Sequence, residues 1–201
     1  MPGMKIGNKV FDTEHETYVM GILNVTPDSF SDGGKWNSED AALKHTEEMI
    51  QDGAAIIDIG GESTRPGHVR ISDEEEIARV VPMIKAVKAH FDIPISVDTY
   101  KSAVAEAALD AGADLINDIW GLKADPALAG VIARYHAPCC LMHNRDEANY
   151  QHFLKDMLDD LRETLRLAHE AGIEDDTIIL DPGVGFGKTH EQNLTVVNHL
   201  E

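Results

Sequence analysis

The feature that most restricts the fold is an alternation of short apolar runs with longer segments of helical periodicity. Each run is rich in Ile, Val, Leu and Ala, as in strands buried on both faces, and the segments between carry apolar residues every three or four positions. The runs predict six strands, at residues 18–23, 54–59, 94–97, 113–116, 137–142 and 177–180. Strands that alternate with helices predict a parallel sheet, either a doubly wound open sheet or a (β/α)8 barrel.

Capping and turn residues mark the elements around these strands. Ser72 begins the sequence Ser-Asp-Glu-Glu ahead of an apolar stripe, which predicts an N-capped helix in which Pro82 causes a kink or occupies a position where a hydrogen bond is already lost. A second stripe over residues 154–168 predicts a longer helix that ends at Gly172. Residues 4–11, with a Gly-Asn pair at their centre, predict a β-hairpin. Further helices are predicted over residues 38–53 and 99–112 and after His190.

The residues that follow the apolar runs favour the barrel. Each run leads into a polar side chain: Asn24, Asp58, Asp98, Asn117, His143 and Asp181. In a doubly wound sheet the ligand-binding groups gather at one switch point, whereas in a barrel they converge from many strands on the carboxyl-terminal face. A full barrel needs about 250 residues. We therefore expect one α/β domain over residues 1–201, a (β/α)8 TIM barrel with about six of its eight βα units present and an N-terminal hairpin.

The charge and cysteine content exclude several classes of protein. Lys and Arg number 17 against 36 Asp and Glu, which gives a formal net charge of −19. Binding to nucleic acid or to an anionic membrane surface is therefore disfavoured, because phosphates are bound by clustered cations. The chain has neither a run of about 18 apolar residues nor a signal sequence, so we expect a cytoplasmic protein. The two cysteines, Cys139 and Cys140, are adjacent, which excludes a disulfide framework.

Three loops after strands carry the residues with the most distinctive chemistry. They span residues 24–34, 60–67 and 181–189, and each combines Gly with polar side chains. The second loop contains two hydroxyls and a guanidinium, a set that suits an anionic ligand. The third ends in Gly-Lys-Thr, but Pro182 stands where a P-loop requires Gly, and Lys188 breaks a dinucleotide-binding pattern. Taken alone, the first loop is also compatible with a surface turn followed by a helix cap, and the second with a salt-bridged connector.

Together these segments resemble the dihydropteroate synthases. The resemblance follows chain order and spacing through residues 21–34, 58–67, 96–99, 116–119, 141–143 and 181–188. It implies a barrel enzyme of folate biosynthesis that condenses the diphosphate ester of 6-hydroxymethyl-7,8-dihydropterin with p-aminobenzoate, giving 7,8-dihydropteroate and diphosphate. It also implies Mg2+ as cofactor, small-molecule partners only, and a homodimer for the full-length family.

The resemblance assigns a pterin pocket to three strand ends. It places Asp98, Asn117 and Asp181 in the pocket and Met142 on its apolar wall. A pterin presents an amide N–H beside an exocyclic amine, and a carboxylate matches that edge with two charge-assisted hydrogen bonds. We expect Asp181 to have this role, while Asn117 supplies a donor and an acceptor and Asp98 a further acceptor.

The remaining assignments concern the phosphates, the metal and the second substrate. By the resemblance, Thr64 and Arg65 bind the phosphates, and Asn24 contacts the Mg2+ held by the diphosphate. The residues expected to enclose p-aminobenzoate are Phe30, Pro66 and Phe186, and the catalytic set is Arg65, Asp98 and Asp181. Asp58 and His143 are left outside the predicted site, since a lone polar residue at a strand end is often a hydrogen-bonded core residue.

Two other functions stay open at this point. A related pterin-binding barrel transfers a methyl group from methyltetrahydrofolate to a corrinoid protein, and its pterin-binding acids look alike. The loops over residues 24–34 and 61–67 argue against it, because methyl transfer has no diphosphate to bind. A non-catalytic pterin-binding fragment is the third possibility, and the two βα units expected to be missing are its main support.

Overall fold

The centre of the computed structural model, which describes residues 3–25, 35–63 and 70–200, is a six-stranded parallel sheet. Its strands are β3 (Val19–Asn24), β4 (Ala54–Gly60), β5 (Ile95–Asp98), β6 (Leu115–Asp118), β7 (Cys139–Met142) and β8 (Ile178–Asp181). They lie in the sheet in the order of the chain. Because a doubly wound sheet reverses its strand order at a switch point, this order confirms the barrel architecture for six βα units.

Helices follow the strands of the sheet. They are α1 (Lys35–Gln51), α2 (Asp73–His90), α3 (Ser102–Asp110), α4 (Leu128–Tyr135), α5 (Phe153–Ala171) and α6 (His190–Val197), and a short 3-10 helix spans Asp175–Thr177. Ser72 caps α2 by accepting a hydrogen bond from the Glu75 amide at 3.2 Å, and α2 contains Pro82. Gly172 ends α5 in the left-handed conformation, as predicted. No helix in the described ranges is long and apolar enough to cross a membrane.

The two faces of the sheet are covered differently. Alternate residues such as Ile57 and Val97 pack against the surrounding helices and are fully buried. The opposite face, the barrel interior, is apolar at the amino ends of the strands. There Leu115 packs with Ile6 and Phe11 of the hairpin, which is formed by β1 (Met4–Ile6) and β2 (Lys9–Phe11). The hairpin thus covers the amino ends of the strands, and the polar side chains lie at the opposite, carboxyl ends.

The two outer strands of the sheet expose apolar surface. Within the described ranges, β3 and β8 each pair with a neighbour on one side only. Ile22 of β3 is 61% exposed and Leu180 of β8 is 39% exposed, whereas Ile59, Val97 and Leu141 on inner strands are fully buried. The packing of this sheet is therefore complete at its centre and incomplete at its two edges.

Candidate functional site

A row of residues crosses four neighbouring strands at their carboxyl ends. The strand register pairs Asn24 with Gly60, Gly60 with Asp98, and Asp98 with Asn117. Gly60 leaves room between its neighbours, because a Cβ atom there would lie 3.5 Å from Asn24 Oδ1 and 3.6 Å from Asp98 Oδ2. Asn24 and Asp98 therefore border one space above Gly60.

Four buried or half-buried polar residues lie in and below this row, at the carboxyl end of the barrel, which we call its mouth. They are Asp58, Ser96, Asp98 and Asn117, and we name the group the mouth carboxylates after its two acids. Asn117 Nδ2 donates to Asp58 Oδ2 at 3.1 Å. Among the described residues, the buried atom Asp98 Oδ1 has no hydrogen-bond partner, and Asp58 Oδ1 and Ser96 Oγ have none of good geometry, although the Ser96 hydroxyl lies close enough to Asp58 to lower its pKa. A buried polar atom without a partner costs about 1–3 kcal/mol. The mouth carboxylates are thus prepared to receive hydrogen bonds from a ligand.

The electrostatics of the two acids in this group are coupled. Burial, and then the negative charges of Asp58 and Glu76, raise the pKa of Asp98 well above its ordinary value. Burial also raises the pKa of Asp58, although hydrogen bonding from Ser96 and then from Asn117 offsets part of the effect. The two acids therefore disfavour each other's charge, and the group offers the Asn117 amide as a donor beside several acceptors. This combination suits a polar heterocycle.

The end of β8 contributes a third carboxylate to the same interior. Asp181 pairs in register with Met142, which is buried. The Gly183 amide donates to Asp181 Oδ1 at 2.7 Å, and the His143 amide donates to Asp181 O at 2.8 Å. Burial, followed by the charges of Asp181 and Asp58, raises the pKa of the Cys140 thiol. The carboxylates of β4 and β8 therefore act on one interior space.

The structure places six of the predicted site residues at one end of the sheet. Asn24, Asp98, Met142 and Asp181 end their strands there, Asn117 is the second-last residue of β6, and Phe186 lies half-buried in the loop after β8. Four others lie outside the described residues, namely Phe30, Thr64, Arg65 and Pro66. The structure thus brings the described residues to one end of the sheet, while the binding roles assigned to all ten residues stay predictions.

The two residues left outside the predicted site differ from each other. His143 is fully buried, with Nε2 at 3.0 Å from Asp160 Oδ2 and Nδ1 at 2.9 Å from Lys188 Nζ, as expected of a hydrogen-bonded core residue. Asp58 is also buried, but one of its oxygens has no partner of good geometry, and its charge raises the pKa of Asp98. Asp58 is therefore a candidate ligand contact that the sequence prediction omitted.

The oxygen atoms at the mouth fit one kind of metal. Among the described residues no group of three His, Cys, Asp or Glu side chains could hold an ion. Asn24 and Asp98 offer an amide oxygen and a carboxylate beside Gly60. Mg2+ takes oxygen ligands, keeps several waters, and is commonly bound through one or two side chains plus substrate phosphates. The residues fit a Mg2+ that is held mainly by a phosphorylated substrate.

A second buried polar group, the Lys101 cluster, consists of Lys101, Glu62, Glu76, Tyr100 and Ile71. Lys101 Nζ donates to Glu62 Oε2 at 2.7 Å, to Glu76 Oε2 at 2.7 Å and to Ile71 O at 2.8 Å. Tyr100 donates to Glu62 Oε1 at 2.8 Å. Burial opposes ionisation of Glu62, but its hydrogen bonds from Lys101, Ile71 and Tyr100 prevail and lower its pKa to about 2. The cluster joins both ends of segment 63–70.

Comparison with known proteins identifies relatives. The family model for pterin binding enzymes matches residues 20–201. The dihydropteroate synthase of Clostridium beijerinckii is 62% identical over 198 residues, which cover 98% of this chain and 74% of that protein.

Solved structures agree with this similarity. The crystal structure of dihydropteroate synthase from Clostridium difficile, determined in the presence of pteroic acid, superposes with a TM-score of 0.92 at 50% identity over 95% of this chain and 73% of that chain. The Xanthomonas albilineans dihydropteroate synthase with 4-aminobenzoic acid also gives a TM-score of 0.92, at 40% identity over 99% of this chain and 72% of that chain. The chain thus spans about three quarters of these relatives.

Proposed function

We propose that this chain is a dihydropteroate synthase, because it belongs to the family of pterin binding enzymes. The reaction is the condensation of 6-hydroxymethyl-7,8-dihydropterin diphosphate with p-aminobenzoate, a transfer of the pterinylmethyl group that releases diphosphate. The observation that carries the proposal is the row of Asn24, Gly60, Asp98 and Asn117 above buried acceptors without well-placed partners. Its amide and carboxylate groups match the edge of a pterin ring.

The pterin-binding role falls to the acids and the amide at the strand ends. The Gly183 amide donates to the Asp181 carboxylate and the His143 amide donates to the Asp181 backbone carbonyl, so Asp181 is positioned before a ligand arrives. Asp98 and Asn117 add acceptors and a donor from β5 and β6. Positioned groups bind without the entropy cost of ordering flexible side chains, which favours affinity and orientation of the ring.

Binding of the diphosphate requires local positive charge, because the chain carries a net charge of −19. We propose that Asn24 contacts a Mg2+ bound to the diphosphate, and that Thr64 and Arg65 bind the phosphate oxygens. When bound, Mg2+ neutralises charge on the departing diphosphate. Arg65 would stabilise the same charge through its guanidinium. Two charge-neutralising groups on one substrate explain how an acidic protein can bind a polyanion.

The chemistry proposed for the chain needs little proton transfer by side chains. The C–O bond to diphosphate breaks, the electron-rich dihydropterin stabilises the cationic methylene, and the arylamine nitrogen forms a C–N bond to that carbon and releases its proton to the diphosphate or to water. Asp98 and Asp181 hold the ring in orientation, and Phe30, Pro66 and Phe186 enclose p-aminobenzoate and exclude water. We further expect a cytoplasmic enzyme, and a homodimer for the full-length family.

The test of this function is formation of dihydropteroate from both substrates with and without Mg2+, alongside Asp181→Asn. We expect turnover with Mg2+ that falls strongly in the variant, since one acceptor becomes a donor that faces donors. Demethylation of methyltetrahydrofolate with a corrinoid acceptor, without turnover of p-aminobenzoate, would instead identify a methyltransferase. Saturable pterin binding without either reaction would identify a pterin-binding module.

A further inference from the structure

One ammonium group holds the glycine-rich loop that follows β8. Lys188 Nζ lies 2.9 Å from Gly183 O, 3.0 Å from Phe186 O and 2.9 Å from His143 Nδ1. Three protons of the ammonium thus match three acceptors. Two acceptors belong to the loop over residues 182–187, and the third lies just after β7. Lys188 therefore ties the loop internally and to the neighbouring strand.

The imidazole that accepts from Lys188 is fixed from its other side. His143 Nε2 lies 3.0 Å from Asp160 Oδ2, and the Asp160 carboxylate also accepts from Arg145 Nε at 2.7 Å. A carboxylate at Nε2 requires the proton on that nitrogen, which leaves Nδ1 as an acceptor for Lys188. Burial, and then the charge of Lys188, lower the pKa of His143 and favour this neutral form. Burial also lowers the pKa of Lys188, to about 8, so that Lys188 is largely protonated at neutral pH.

The backbone of the loop is shaped by direct contact with residues 143–145. Gly183 has φ +70°, and a Cβ atom there would lie 2.0 Å from His143 O. Gly187 has φ +55°, and its Cβ would lie 2.4 Å from Arg145 O, while the Tyr150 hydroxyl donates to Gly187 O at 2.8 Å. Since neither position accepts a side chain, the loop fits closely against its neighbour at both ends. Lys188 donates to the carbonyls of Gly183 and Phe186 within the same loop.

We propose that Lys188 is a positioning residue for the p-aminobenzoate side of the site. It fixes the backbone at Phe186 and thereby the ring that is expected to enclose this substrate, a role that rests on the proposed function. The pterin side has a hydrogen bond of its own, because the Gly183 amide donates to the Asp181 carboxylate at 2.7 Å, and Lys188 acts on Asp181 only through Gly183 O and through its charge. Loss of the Lys188 ammonium should therefore affect the two substrates unequally.

The first test measures the loop itself, without any ligand. Hydrogen exchange is compared between the unmodified chain, Lys188→Met and Lys123→Met. Lys123 is the control because it is also a lysine that donates to two protein oxygens, namely Asp160 O at 3.0 Å and Thr164 Oγ1 at 2.6 Å, but not to the loop. We expect exchange over residues 182–187 to accelerate by about tenfold in Lys188→Met only. Equal exchange in all three chains would overturn the proposal.

The second test separates positioning from general loss of structure. Affinities for p-aminobenzoate and for 6-hydroxymethylpterin are measured for the same three chains. We expect Lys188→Met to weaken p-aminobenzoate binding about tenfold and to leave pterin binding within about twofold. Equal weakening of both ligands, or of neither, would overturn the positioning role. If the unmodified chain binds neither ligand, the proposed function fails, whereas the exchange experiment still decides whether Lys188 holds the loop.

Discussion

The mouth carboxylates and the Lys101 cluster are two buried polar groups on opposite sides of the end of β5, and their hydrogen bonds are completed differently. Among the described residues, Asp98 Oδ1 has no protein partner and Asp58 Oδ1 has none of good geometry. Three residues beyond Asp98, Lys101 is 8% exposed and donates to three oxygens, two of them from Glu62 and Glu76. One group is incomplete without a ligand, and the other is complete within the chain.

The presence or absence of hydrogen-bond partners within the chain distinguishes a structural group from a group that can bind a ligand. Both groups are rich in buried acids, so charge and burial do not distinguish them. A completed network rigidifies the chain around it, whereas buried atoms without partners cost stability that a ligand can recover. We therefore propose that the mouth carboxylates bind a ligand and that the Lys101 cluster stabilises the chain at Glu62 and Ile71.

We expect the largest effect on stability from a substitution that removes the cation of the Lys101 cluster. Lys101→Met removes the cation and leaves Glu62 and Glu76 buried without their partner, so we expect the free energy of unfolding to fall by about 3–5 kcal/mol. Denaturant unfolding at neutral pH measures this loss. Lys88→Met is the matched control, because Lys88 pairs with Asp114 at 2.5 Å where its side chain is 34% exposed. We expect a loss of about 1 kcal/mol or less there, and similar losses in both variants would contradict the assignment.

A substitution in the mouth carboxylates should not lower the free energy of unfolding. Asp98→Asn removes a carboxylate that burial and neighbouring charges disfavour, so we expect the free energy of unfolding to be maintained or to rise by about 1 kcal/mol. Pterin affinity should fall by about tenfold to a hundredfold, because an acceptor for the ring is replaced. Unfolding and pterin titration on the same preparation measure both effects. A less stable variant with intact pterin affinity would place Asp98 in the structural group.

The fold was largely predictable because it depends on local patterns. The six apolar runs, the Ser72 cap and Gly172 each act within a few residues, and all were confirmed with small shifts of the boundaries. Helix α4 was not predicted, since it has only eight residues and includes Gly130, which weakens helical propensity. The strand-end rule also predicted that polar side chains meet at one end of the sheet, because parallel strands bring their carboxyl ends together.

The completed networks could not be predicted, because they join residues that are distant in the sequence. Lys101 contacts Glu62 39 positions earlier, and Lys188 contacts His143 45 positions earlier. No local pattern marks such pairs, and an isolated Lys or Glu is most often a solvated residue. The same limit applies to Asp58, whose importance depends on the absence of a well-placed partner for one buried oxygen.

A pH series can compare an acid whose hydrogen bonds do not offset its burial with an acid whose hydrogen bonds do. Asp58 and Asp160 are such a pair, because their pKa values are shifted in opposite directions. Burial raises the pKa of Asp58 above its ordinary 3.8, so its ionised form destabilises the fold, and that cost disappears as the pH falls from the raised pKa toward 3.8. For Asp160, burial acts to raise the pKa, but hydrogen bonds from Arg145 and His143 prevail and lower it. Its ionised form therefore stabilises the fold until the pH falls below 3.8.

The measurement is the free energy of unfolding of Asp58→Asn and Asp160→Asn from pH 8 to pH 3. We expect Asp58→Asn to gain about 1 kcal/mol at pH 8 and to lose that gain before pH 4 is reached. Asp160→Asn should lose about 1–2 kcal/mol at pH 8 and keep most of this loss down to pH 4. Parallel pH profiles for the two variants would refute the distinction.

Two adjacent glycines give the smallest and most local test, because each faces one of the two groups. A Cβ at Gly61 would lie 2.8 Å from Val80 Cγ1 and 3.0 Å from Glu76 Cγ, so Gly61→Ala should cost about 1 kcal/mol of stability and leave pterin affinity unchanged. A Cβ at Gly60 meets Asn24 and Asp98 only at ordinary contact distances. Gly60→Ala should therefore change stability by less than about 0.5 kcal/mol, but fill the space at the mouth and weaken ligand binding a few-fold. If the two substitutions exchanged these effects, the boundary between binding and structural groups would not lie between residues 60 and 61.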